Sequence, residues 1–61
     1  MRARDYQPGE QVPGTVYKVL RLIGAGGVGT VYDVEDTTIG KRYVLKTLHP
    51  RRLLSIRPFP R

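Results

Sequence analysis

Apolar and polar positions alternate with a period of two in two stretches of the chain, the pattern of half-buried strands. In residues 30–36, Val31, Asp33 and Glu35 fall on one side, and Thr30, Tyr32, Val34 and Asp36 on the other. In residues 42–48, Tyr43, Leu45 and Thr47 face one way, and Val44, Lys46 and Leu48 the other. Residues 15–23, Thr-Val-Tyr-Lys-Val-Leu-Arg-Leu-Ile, break strict alternation, because Lys18 and Arg21 are three apart. That spacing also suits a helix. The β-branched content and the flanking glycines favour a strand. Between the second and third strands, Thr37-Thr38-Ile39-Gly40-Lys41 supplies a turn, with Gly40 at the positive-φ position. His49-Pro50 ends the third strand, since proline brings no N–H to a ladder.

The ends read differently. Residues 1–14 carry the turn dipeptides Pro8-Gly9 and Pro13-Gly14 and predict an irregular lead-in, with Tyr6 in a loose terminus. Residues 51–61 form a basic tail, disordered or making one helical turn over Arg51-Arg52-Leu53-Leu54-Ser55-Ile56. The expected fold is mainly β: a three-stranded antiparallel sheet over residues 15–50, with irregular or disordered termini.

Composition narrows the function classes. Sixty-one residues make one small domain at most, and a chain this short buries only about 60% of its unfolded surface. There is no cysteine for a disulfide. His49 is the only histidine, so no metal site is expected. No stretch approaches the roughly 20 apolar residues of a membrane span, and the basic start lacks the apolar run of a secretory signal. A cytoplasmic chain without a membrane segment is expected. The net charge of +6 favours polyanions in general. Arg51, Arg52, Arg57 and Arg61 crowd the tail, where Phe59 is the sole aromatic. That is a solvated end rather than a specific nucleic-acid surface, which interleaves cations with stacking rings.

The chemistry lies in residues 23–31, Ile-Gly-Ala-Gly-Gly-Val-Gly-Thr-Val. Gly24, Gly26 and Gly29 have G-x-G-x-x-G spacing. Glycine leaves no side chain between backbone N–H groups and phosphate oxygens. A dinucleotide-binding unit would open a helix here. The residues after Gly29 are β-branched and acidic, so the glycines join two strands instead. A Walker A loop needs G-K-[S/T], and Gly29 is followed by Thr30-Val31.

A glycine-rich hairpin followed by a strand lysine resembles the N-terminal lobe of protein kinases, most closely bacterial serine/threonine kinases. The likeness spans about residues 16–50. Gly24 to Val31 is similar to the family's G-x-G-x-x-G-x-V loop, and Tyr43-Val44-Leu45-Lys46 to its V-A-I-K strand. The resemblance implies an ATP site built from Ile23, Gly24, Ala25, Gly26, Gly27, Val28, Gly29, Thr30, Val31 and Lys46. In the family the loop covers the phosphates and the lysine holds them as a point charge. Ile23 and Val31 would line the adenine face. Val44 stands where the motif has Ala, and its two extra methyl groups would crowd that face at a cost of about 1–3 kcal/mol. Val28 at the loop tip and Tyr43 also depart from the family pattern.

The resemblance stops at Pro50. No H-R-D or D-F-G occurs, so the catalytic Asp and the ligands for the family's Mg²⁺ are not in these 61 residues. The chain is therefore expected to hold no catalytic and no metal residues, and to transfer no phosphoryl group alone. The change at Pro50 suggests a truncated or frameshifted gene. The alternatives are a pseudokinase-type module whose open sheet face binds a protein partner, and a small basic polyanion-binding protein.

Overall fold

The computed structural model describes residues 6–27, 29–48 and 53–60. The expectations that fall on residues 1–5, Val28, residues 49–52 and Arg61 lie outside these. They include the loop tip, the strand-ending His49-Pro50 and the start of the helical turn.

Among the described residues four strands follow one another: β1 (Tyr17–Ala25), β2 (Gly29–Asp36), β3 (Lys41–Leu48) and β4 (Leu53–Pro58). They form one antiparallel sheet in the order β1-β2-β3-β4. There is no helix among the described residues. The three expected strands are present. The expected three-stranded sheet is corrected to four, because the stretch read as a disordered end or helical turn pairs with β3 from Leu48↔Leu53 to Tyr43↔Pro58. The reason is physical. Leu54 and Ile56 alternate with Ser55 and Arg57, and pairing with β3 satisfies backbone groups that a single turn of helix leaves open.

Bulges explain the broken alternation in β1. Its register against β2 shifts between Val19 and Arg21, and again between Leu22 and Gly24. Leu20 and Ile23 are the extra residues. Each bulge adds one residue to one strand only. Lys18, opposite Glu35, and Arg21, opposite Asp33, therefore reach the same face although they are three apart.

β2 and β3 pair without a shift, from Gly29↔Leu48 to Asp36↔Lys41. Gly40 has φ 69° in the turn between them. Asp36 holds that turn: its carboxylate accepts from the Thr38 N–H at 2.9 Å and from the Thr38 hydroxyl.

The core lies on the Tyr32 side of the sheet. Val19, Tyr32, Val34 and Leu45 are at most 1% exposed there, and Val12 of the lead-in joins them. Tyr17 and Tyr43 pack at its edge, with ring centroids 5.7 Å apart. The lead-in is not loose over its described residues. Gly9 N–H donates to the Val19 carbonyl at 2.7 Å, Val19 N–H to Glu10 at 2.8 Å, and Val12 N–H to Tyr17 at 2.9 Å. The segment thus runs along the outer edge of β1. The Tyr6 N–H donates to the Tyr32 hydroxyl at 3.0 Å, and the two rings lie 5.4 Å apart. Composition hid this: Pro-Gly pairs mark turns, and a segment can turn twice and still dock.

Candidate functional site

The glycine loop joins β1 to β2 at one end of the sheet. Ala25 pairs with Thr30, and Gly26 N–H donates to the Gly29 carbonyl at 2.9 Å, closing the hairpin. The glycines serve two different purposes. A Cβ on Gly29 would lie 1.8 Å from the Thr47 carbonyl oxygen, so β2 and β3 approach too closely for any side chain. Gly24, Gly26 and Gly27 would meet nothing within 4 Å. Among the glycines, positive φ occurs at Gly9, Gly14 and Gly40, and not at Gly24, Gly26, Gly27 or Gly29. Neither packing nor backbone conformation therefore requires the first three loop glycines. Their bare backbone suits the close approach of a ligand.

Cross-strand pairing brings the loop and Lys46 together. Gly24 pairs with Val31, Val31 with Lys46, and Lys46 with Ser55. One row across all four strands thus carries a loop glycine, the half-buried Val31, the lysine and a serine on a single face. The next row carries Arg21, Asp33, Val44 and Arg57. Val31 and Val44 are the half-buried apolar side chains here, and Lys46 is exposed. Lys46 makes no ion pair among the described residues.

The remaining expected residues sit differently. Ile23 is the bulged residue before Gly24 and is 44% exposed. Ala25, Gly26 and Gly27 are exposed on the hairpin. The Thr30 side chain is buried on the Tyr32 side, where the Thr47 hydroxyl donates to its carbonyl at 3.4 Å. Ser55 and Arg57 belong to the Lys46 face and escaped the sequence reading. The alternation of residues 53–58 was the signal that would have found them.

Among the described residues Asp33 is the one buried acid of this face, at 1% exposure. Its carboxylate accepts from Arg21 Nε at 3.3 Å, from Arg42 Nε at 3.2 Å and from an Arg42 terminal nitrogen. Hydrogen bonding to Asp33 raises the Arg42 pKa above its ordinary value. The Arg42 guanidinium also lies 4.2 Å from the Phe59 ring centroid. A cleft of about 380 Å³ lined by Lys41, Arg42, Tyr43, Pro58 and Phe59 opens nearby. It lies at the Lys41 end of the sheet, away from the glycine loop.

Part of the chain is similar to a serine/threonine-protein kinase. Over 35 residues it is 46% identical to serine/threonine-protein kinase PknD of two Mycobacterium tuberculosis strains, CDC 1551 / Oshkosh and ATCC 25618 / H37Rv. The match takes in 57% of this chain and 5% of the length of each kinase. No family model matches, and no solved structure matches. No helix among the described residues is long and apolar enough to cross a membrane.

Proposed function

We propose that the chain is an ATP-binding fragment of a serine/threonine protein kinase domain, not catalytically competent alone. One observation carries the reading. Gly24, a loop glycine that neither packing nor φ requires, shares a row with Val31 and with Lys46, which has no ion pair among the described residues. The bare loop backbone would lie over the phosphates, Lys46 would offer them a point charge, and Val31 and Val44 would meet the base. Local similarity to PknD supports a kinase-fragment origin. These 61 residues carry no H-R-D or D-F-G, so no phosphoryl transfer is expected from them alone.

Calorimetric titration with ATP tests the reading. Wild type binds, and Lys46→Ala weakens binding about tenfold, the loss of one charge-assisted hydrogen bond. Lys46 is exposed, so its removal leaves the melting curve in place. An unchanged ATP affinity in Lys46→Ala would end the proposal.

A second reading is a pseudokinase-type interaction module. Leu22, Leu54 and Ile56 favour it: they are 38–48% exposed on the sheet's Tyr32 side. Partner binding that persists in a variant unable to bind ATP would select it.

A further inference from the structure

The fourth strand changes the chemistry of the Lys46 face. Ser55 lies directly opposite Lys46, and Arg57 lies opposite Val44. Directly opposed residues hold their Cβ atoms about 4.5–5.5 Å apart, and diagonal neighbours about 7–8 Å. Neighbouring positions of one face, beside the glycine loop, therefore carry an ammonium, a hydroxyl and a guanidinium.

The charges on this face are not equally available. Arg21 and Arg42 are both committed to the Asp33 carboxylate. Lys46 and Arg57 have no ion-pair partner among the described residues, and neither lies opposite a carboxylate. Two free cations and a hydroxyl donor suit a chain of phosphate groups. Lysine meets such a ligand as a point charge, and arginine as a two-pronged donor.

We propose that Ser55 and Arg57 of β4 join Lys46 in binding a polyphosphate on this face. For the nucleotide this rests on the ATP reading above; for the phosphate chain alone it stands apart. Lys46 supplies the charge nearest the loop. Ser55 donates its hydroxyl proton to an adjacent oxygen, and Arg57 engages the distal phosphate.

The full 61-residue chain is titrated at low ionic strength with inorganic tripolyphosphate and, separately, with ATP. Ser55→Ala, Arg57→Gln and a control, Lys18→Gln, are compared with wild type after circular dichroism confirms that each folds. Lys18 is an exposed cation on β1, opposite Glu35. Arg57→Gln should weaken tripolyphosphate binding about fivefold and Ser55→Ala about twofold, the scale of exposed charged and neutral contacts. Lys18→Gln should change it less than about twofold. Equal losses in Lys18→Gln and Arg57→Gln would mean unspecific charge attraction and overturn the proposal. ATP binding that needs Lys46 but ignores Ser55 and Arg57 would overturn it and leave the ATP reading intact. Arg57-dependent tripolyphosphate binding without ATP binding would do the reverse. Binding of neither ligand ends both.

Discussion

Single positions on this chain divide between those that hold the sheet and those with open space around them. Gly29 belongs to the first group. Alanine there drives a Cβ to 1.8 Å from the Thr47 carbonyl oxygen, and the two strands must separate. Overpacking of this kind costs roughly 1–3 kcal/mol. Gly26 belongs to the second group, with nothing within 4 Å and no positive φ. Gly26→Ala should shift stability by no more than about 0.5 kcal/mol while weakening ATP binding. Urea melts beside ATP titrations of the two variants check this, and a Gly26→Ala protein as unstable as Gly29→Ala would contradict it. The arginines on Asp33 separate in the same way. Arg42 makes two hydrogen bonds to the carboxylate and stacks on Phe59, whereas Arg21 makes one. Arg42→Ala should therefore lower the urea midpoint roughly twice as far as Arg21→Ala, in proportion to the hydrogen bonds lost. Equal shifts would show that solvent screening cancels the difference, since both guanidinium side chains are about half exposed.

At the scale of elements, the β2–β3 hairpin is the best-defined unit. Its alternation, its faces and the positive φ of Gly40 were all legible, because the hairpin contains no bulge and the turn has one position that glycine suits. β1 was half legible. Its strand character came through in Val, Tyr and Ile, but two bulges scrambled the period and hid which face Arg21 occupies. β4 was misread because proline and arginine in residues 57–61 speak for a loose end, while the pairing of Leu54 and Ile56 with β3 is a non-local term. For the site, the loop glycines and Lys46 followed from their motifs, whereas the row linking Gly24, Val31 and Lys46 is set by the bulge at Ile23. The exposure of Lys46 was not legible, because alternation alone does not say which face is covered, and the company of Ser55 and Arg57 was lost with the misread strand. The β2–β3 turn carries a pH dependence. Hydrogen bonds from the Thr38 hydroxyl and then the Thr38 N–H pull the Asp36 pKa below its ordinary 3.8, against the opposing effect of burial. A depressed carboxylate pKa contributes stability that is present above the unfolded value and lost as pH falls through the folded one. Wild type should thus lose urea resistance below about pH 4, and Asp36→Asn should lose less over the same range. Parallel acid titrations of the two proteins would refute this if their curves ran together from pH 7 to pH 3.

For the whole molecule, the decisive question is what closes a core that, among the described residues, has five buried apolar side chains. Four lie on the sheet, and the fifth, Val12, comes from the lead-in and is 1% exposed. At about 0.05–0.15 kcal/mol per residue, a chain of this length has roughly 3–9 kcal/mol of net stability. Val12→Ala removes the equivalent of two methylenes at about 0.8 kcal/mol each and leaves a cavity, for about 2–3 kcal/mol in all. That is roughly a fifth of the whole at the upper figure and most of it at the lower. The lead-in also supplies the backbone partners of Val19, whose N–H donates to Glu10 and whose carbonyl accepts from Gly9. Once Val12 no longer anchors the segment, the Val19 amide should lose hydrogen-exchange protection before the β2–β3 amides do, because opening the lead-in leaves that ladder intact. Exchange measured by NMR on wild type and Val12→Ala tests both statements. A Val19 amide that stays as protected as the β2–β3 ladder, with an unchanged urea midpoint, would mean that the sheet holds its core without the lead-in.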